Sequence, residues 1–322
     1  LKQEITWLDD ALSGKDIELM MTHYLVKGGE IRATDGRIIA SHPCQVDGEF
    51  LVPGEELQTI LKRLKEEPKI KLEDGRVSLR CGRFHGSIQT LDIRENIWRF
   101  PEDHQPKWEP FPKALLPVWR DLRPFISPNA IHLWACGVTL APGWAFASNN
   151  VVLAGAPVEA AKINVIIPTW VIDFVLARAE HLTHWAVTNN YMAFRWSNGA
   201  WMRSTLIDGA FPELEKAAMM IKSVPKPTQK ISPEYREAVL RIAGLSENGV
   251  LIYANRVSGR TAYSEINESL KSEVPKDNEY SKWGAMYLEQ VIEVATAWSP
   301  SNWPKPTPFI GERVRGMIAG MR

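Results

Sequence analysis

The chain has 322 residues, 45% of them hydrophobic, and its 38 basic and 38 acidic side chains cancel to zero net charge. That length supports two or three domains, each with its own core, and the cancelled charge disfavours a protein that grips nucleic acid through a basic patch while leaving room for one that encloses it. No apolar run approaches the roughly eighteen residues of a membrane span, and Leu1-Lys2-Gln3-Glu4 is no signal-peptide start, so a cytoplasmic protein with no membrane partner is expected.

In chain order, a first helix is expected from Ile5 to Ser13. Residues Glu55 to Glu66 place Leu57, Ile60, Leu61 and Leu64 at helical spacing, which turns Lys62, Arg63 and Lys65 to the polar side. Ile70 and Leu72, the turn Asp74-Gly75, and Val77, Leu79 and Cys81 then read as a β-hairpin. A helix carrying Lys113, Arg120 and Arg123 follows, and Pro117 and Pro124 are expected to kink or shorten it. Tyr191 to Trp196, Asn198-Gly199 and Trp201-Met202 form a second hairpin, and Arg178, Arg236 and Arg241 fall on other candidate helices. Asp9, Asp10, Glu289 and Glu293 put acidic groups on the same kind of helix.

The chain also repeats itself. Ala33-Thr34-Asp35-Gly36-Arg37-Ile38-Ile39-Ala40 is echoed by Ala147-Ser148-Asn149-Asn150-Val151-Val152-Leu153-Ala154. Leu51-Val52-Pro53 with Leu57, Ile60 and Leu61 is matched by Ile166-Ile167-Pro168 with Ile172, Val175 and Leu176, and the apolar spacing returns at Leu288, Val291 and Ile292. Phe100-Pro101-Glu102 and Phe211-Pro212-Glu213 are a further pair. The reading is an α+β protein of three tandem units, 1–106, 107–224 and 225–322, each with helices on one face of antiparallel sheets. Pro-rich polar segments at Gln105-Pro106-Lys107 and Pro225-Lys226-Pro227 mark the boundaries.

Nothing in the sequence matches a phosphate-cradling loop, a zinc helix or a nucleophile elbow. His181 and His184 have no third ligand nearby, and Cys44, Cys81 and Cys136 are scattered and expected to be buried thiols. A non-enzymatic protein without metal or cofactor is expected.

Ala33-Thr34-Asp35-Gly36, Ile166-Ile167-Pro168, Leu206-Ile207-Asp208-Gly209-Ala210-Phe211-Pro212 and the terminal Met317 to Arg322 together resemble the bacterial DNA polymerase III β subunit, the β sliding clamp family. The resemblance implies three DNA-clamp domains per chain and a head-to-tail homodimeric ring around double-stranded DNA, without sequence preference, at the replication fork. It further implies DNA polymerase and a clamp loader as partners, and DNA-facing Lys62, Arg63, Lys65, Lys113, Arg120, Arg123, Arg178, Arg236 and Arg241. A pocket for partner peptides would take Ser148, Asn150, Val151, Val152, Leu153, Pro212, Tyr287, Ile318, Met321 and Arg322, and the subunit contact would centre on Ile88 and Leu245. Asn150 stands where the family has glycine, Gly320 where it has proline, and Gly86 where it often has a bulky residue. The first unit looks shortened between its opening helix and Thr34, and the lack of an initiator methionine leaves room for residues before Leu1. The alternative reading is a clamp-like monomeric adaptor, or a competitor, that binds clamp partners without encircling DNA; a defective subunit interface would mark it, and Gly86 is the residue that suggests one.

Overall fold

The computed structural model describes residues 1–13, 19–93, 106–128, 131–159, 164–270 and 279–321. The first third of the chain forms α1 (Lys2–Leu8), β1 (His23–Lys27), β2 (Glu30–Thr34), β3 (Ile38–Pro43), β4 (Phe50–Pro53), α2 (Gly54–Arg63), β5 (Lys69–Glu73), β6 (Arg76–Cys81) and β7 (Phe84–Gln89). The second forms β8 (Glu109–Pro110), α3 (Leu115–Leu122), β9 (Gly137–Ala141), β10 (Trp144–Ser148), β11 (Val152–Pro157), β12 (Val165–Pro168), α4 (Thr169–Ala177), β13 (Leu182–Val187), β14 (Tyr191–Trp196), β15 (Trp201–Thr205) and α5 (Leu214–Lys222). The last forms β16 (Gln229–Lys230), α6 (Pro233–Leu245), β17 (Val250–Ile252), β18 (Arg256–Arg260), β19 (Glu265–Ser269), β20 (Ser281–Trp283), α7 (Ala285–Val294), β21 (Ala295–Trp298), β22 (Thr307–Gly311) and β23 (Arg315–Ile318). Among the described residues one order recurs three times, a helix, four strands, a helix and three strands, with the two-residue β8 and β16 ahead of the second and third rounds and α5 closing the second. Phe100-Pro101-Glu102 and Gln105 lie outside the described residues.

By packing, the chain divides into two compact units, one of Leu1–Phe111 with Asp173–Leu206 and one of Pro112–Ile172 with Ile207–Arg322. The first unit holds an eight-stranded antiparallel sheet in the order β4-β1-β2-β3-β15-β14-β13-β8 and a three-stranded sheet β5-β6-β7. Asp74 and Gly75 both take positive φ, +49° and +70°, the tight two-residue turn that joins β5 to β6. Helix α2 buries Leu57 and Leu61 as the spacing predicts, but Leu64 turns to extended backbone, so the helix ends at Arg63 and Lys65 sits in the bend before β5. Helix α1 likewise begins earlier than expected and stops at Leu8, giving way to a 3₁₀ turn at Asp9–Ala11 that continues its apolar stripe.

Trp7, Phe174 and Trp196 pack edge to face in this unit, with Trp7 5.3 Å from Phe174 and 5.1 Å from Trp196. The guanidinium of Arg178 lies over Phe174 at 3.8 Å, donates to the carbonyl of Trp7 at 2.7 Å, and pairs with Asp10 at 2.8 Å. Its side chain is only 9% exposed. Arg178 is therefore a fastener of this core, and the expectation that it faces DNA is corrected: its guanidinium is spent on the part-buried Trp7 carbonyl, the Phe174 ring and Asp10. Ile88 is corrected too. Its alternation in β7 is right, but its side chain points into the unit's own core and is 1% exposed, so it cannot centre a contact with another chain.

The second unit holds a matching sheet, β12-β9-β10-β11-β23-β22-β21-β16, and a four-stranded sheet β19-β18-β17-β20. Helix α6 opens on Ser232, whose Oγ accepts from the Tyr235 N–H at 3.1 Å, with Pro233 in the first turn. Arg236 reaches from α6 to the end of α7, where it donates to the carbonyls of Ile292, Glu293 (2.8 Å) and Ala295 (2.6 Å). It caps α7, which corrects its assignment to DNA: the last-turn carbonyls need a donor and the negative end of the helix favours a cation. Helix α3 is the short one the prolines imply; Pro117 is tolerated in its first turn, Lys113 precedes it, and Arg123-Pro124 ends it. The three cysteines are half-buried rather than buried.

Changing Arg178 to Ala should lower unfolding stability by about 1–3 kcal/mol, because it leaves the part-buried Trp7 carbonyl without its donor and uncovers the Phe174 ring, while the exposed Asp10 stays solvated. Arg120→Ala, at an exposed position of α3, should stay within about 0.5 kcal/mol; urea denaturation of both variants checks the contrast.

Candidate functional site

The repeated Ala33–Ala40 and Ala147–Ala154 stretches build the same turn. In the first, Thr34 Oγ1 donates to the Ile38 carbonyl at 2.7 Å and accepts from the Gly36 N–H, while Asp35 Oδ1 accepts from the Arg37 and Ile38 N–H groups at 2.8 Å. In the second, Ser148 donates to the Val152 carbonyl at 2.8 Å and accepts from Asn150, while Asn149 Oδ1 accepts from Val151 and Val152. Gly36 and Asn150 occupy the left-handed position, at φ +86° and +71°; asparagine tolerates it nearly as well as glycine. Asn149 also donates to Gln290 of α7 at 3.0 Å, which pins the turn against that helix.

The turn feeds β11, and β11 pairs with β23 so that Val152 stands opposite Ile318 and Leu153 opposite Met317. Val152 (1% exposed) and Ile318 (0%) face the core, as does Ser148, which is spent on the turn. These three do not reach a partner, a correction that follows from strand alternation: their neighbours Val151, Leu153 and Met317 are the half-exposed ones. Leu153 packs with Trp144, Leu214 and Ala218 against a buried cluster of Ala141, Phe146 and Ile221. Phe211 plugs into this region, 4.8 Å from Trp134, and leaves Pro212 exposed beside it. Helix α5 supplies Leu214, Ala218 and Ile221 and exposes Met219 and Met220. The sequence reading missed it, although the i, i+4, i+7 spacing after Phe-Pro-Glu was present.

Adjoining the turn, a cavity of about 560 Å³ is lined by Val151, Gly244, Met286, Tyr287, Gly320 and Met321 among others. Of the residues expected here, Val151, Tyr287 and Met321 line the cavity, Leu153 lies in the α5 cluster with Pro212 exposed close by in sequence, and Asn150 is exposed on the turn. Arg322 lies outside the described residues.

Lys62, Arg63, Lys65, Lys113, Arg120, Arg123 and Arg241 are exposed. Lys62 approaches Asp9 at 3.6 Å, and Arg241 pairs with Glu268 at 2.9 Å, both weak surface contacts. On α7 the Glu293 carboxyl is pushed up by desolvation and by neighbouring Glu289, against the pull of Arg236. Leu245, at the end of α6, is 55% exposed. No helix among the described residues is long and apolar enough to cross a membrane.

No family model matches the sequence, and no curated protein does. Solved structures do match. The DNA polymerase sliding clamp from Pseudomonas aeruginosa is 16% identical, with all of this chain and 97% of that one covered at a TM-score of 0.78. The DnaN sliding clamp, DNA polymerase III subunit β, from Bartonella birtlesii is 15% identical over all of this chain and 96% of its own, at 0.81. The Helicobacter pylori β clamp is 14% identical over all of this chain and 97% of its own, at 0.74. The chain has the fold of a DNA polymerase sliding clamp. The β11–β23 junction is tight: a Cβ on Gly316 would come within 2.4 Å of the Leu153 carbonyl oxygen and 2.6 Å of the Phe309 ring. Gly316→Ala should therefore lose about 1–3 kcal/mol through overpacking. Gly244→Ala, in α6 with nothing within 4 Å, should gain about 0.5–1 kcal/mol. Chemical denaturation midpoints of the two variants should move in opposite directions.

Proposed function

We propose that this chain is a DNA sliding clamp that acts as a head-to-tail homodimer, two chains of three clamp domains each (1–106, 107–224 and 225–322). One observation carries the reading. The third strand of the first repeat, β3, pairs with the last strand of the second, β15, and the third strand of the second, β11, pairs with the last strand of the third, β23. By the same order β19 should pair with a β7, and among the described residues both are edge strands of their own sheets. A second copy supplies each missing partner, and two such contacts close six domains into a ring. Charge does not oppose the match: β7 carries no carboxylate and Arg83 is exposed just before it, whereas β19 carries Glu265 and Glu268, the second already paired with Arg241. The Gly86 that favours a monomeric adaptor is compensated within the strand. The Phe84 ring lies across it, so close that a Cβ on Gly86 would meet it at 2.9 Å, and Phe84 remains 37% exposed. Phe84 and Leu245 thus take the apolar role first expected of Ile88 and Leu245.

Duplex DNA would be held by enclosure and not by affinity, consistent with zero net charge and with exposed Lys62, Arg63, Lys65, Lys113, Arg120, Arg123 and Arg241 as a weak, sequence-blind field. The Val151–Tyr287–Met321 cavity and the Leu153 patch would receive peptides from DNA polymerase, the clamp loader and other replication proteins in the cytoplasm. The Helicobacter pylori clamp was solved with a DNA ligase peptide and the Bartonella birtlesii clamp with griselimycin, which supports a ligand-receiving surface on this fold. No catalytic role is proposed.

Loaded on nicked circular DNA, the protein should dissociate at least tenfold more slowly than from the same DNA linearised, and Phe84→Asp should abolish the difference. Equal release from circle and line by the unmodified protein would contradict enclosure.

A further inference from the structure

Trp303 lies in the connection between β21 and β22, half-buried, and touches the tail residues that wall the cavity. Its indole Nε1 donates to the Met321 carbonyl at 3.0 Å. Its ring rests on Gly320 so closely that a Cβ there would fall 2.3 Å from Cδ1 and 2.7 Å from Nε1. Gly320 is therefore matched to Trp303: any side chain at 320, proline included, would displace the indole. Two backbone bonds complete the attachment. The Ala319 N–H donates to the Val151 carbonyl and the Met321 N–H to the Lys282 carbonyl, each at 2.9 Å.

These three ties decide where the Met321 thioether goes. A Cβ on Gly249 would lie 3.3 Å from its sulfur and one on Gly284 3.9 Å, while the Tyr287 ring covers Gly284 from within 2.9 Å of the same construction. The two glycines leave the space that Met321 and Tyr287 occupy. Methionine is flexible and adaptable by itself, so a defined wall at this point needs its backbone held from outside, which packing from a fixed aromatic ring supplies.

We infer that Trp303 is a positioning residue for the cavity: with Gly320 it locks the 319–321 tail and thereby sets the Met321 wall. That this wall serves partner peptides rests on the function proposed above; the lock itself does not. Trp303→Phe keeps most of the bulk and removes the donor, and Gly320→Ala keeps the donor and pushes the ring away. In the full chain, both variants should speed amide exchange at Met321 at least tenfold and leave the β21–β22 ladder at Phe309 within twofold, with an unchanged unfolding midpoint to within a degree or two. Both should also weaken binding of the DNA ligase peptide used with the Helicobacter pylori clamp at least fivefold. Unchanged Met321 exchange in both variants overturns the lock, and faster exchange with undiminished peptide affinity overturns its positioning role. Faster exchange in the variants of a protein that binds no peptide in its unmodified form sustains the lock and removes the peptide reading alone.

Discussion

A strand at the edge of a sheet presents a row of unpaired N–H and C=O groups, a ready template for another strand and a loss wherever the edge is buried without one. This chain uses that constraint twice in the same way, joining the last strand of one repeat to the third strand of the repeat before it across β3–β15 and β11–β23. Each junction yields an eight-stranded sheet whose hydrogen-bond ladder runs without a break between residues more than a hundred positions apart. Compact packing therefore cuts across the sequence repeats: each unit is held by a sheet that two repeats share. The partner surface depends on the same junction, since Leu153 and Met317 are neighbours only because β11 and β23 pair.

The cations divide by what surrounds them. Arg178 is held by a carboxylate, carbonyls and an aromatic face, and Arg236 by three carbonyls at a helix end. Both serve stability. Lys62 and Arg241 make only exposed contacts, with Asp9 and Glu268, and the chain as a whole has zero net charge. Under the proposed ring a weak hold is useful, because a clamp that clung to phosphates would not slide.

Much of this was legible before the structure. The echo of Ala33–Ala40 at Ala147–Ala154 is one hydrogen-bonded turn used twice, and Thr/Ser, Asp/Asn and Gly/Asn are interchangeable there because each supplies the same acceptor or the same left-handed backbone. Asp74-Gly75 and the alternating runs around it specified a hairpin. What stayed hidden was direction. Alternation marks Ile88, Val152 and Ile318 as one face of a strand without saying which face is covered, and each proved to face its own core. Arg178 looks in sequence like any cation on a polar helix face, because the Trp7 carbonyl it serves is 171 residues away. The Trp303–Gly320 contact had no local signal either: a glycine that replaces proline reads as loss until the ring that needs the space is in view.

The central claim is that β7 of one chain completes the sheet that ends at β19 of another. Ser87, exposed on β7, and Asn267, exposed on β19, offer a direct test in a background whose native cysteines are serine. Ser87→Cys and Asn267→Cys chains, oxidised after mixing, should give a disulfide-linked species of two chains that neither variant gives alone, and a chain carrying both changes should cross-link into a closed dimer that stays on circular DNA in denaturant. Chains that remain single after oxidation, or that cross-link equally well as Ser87→Cys alone, would contradict the head-to-tail ring.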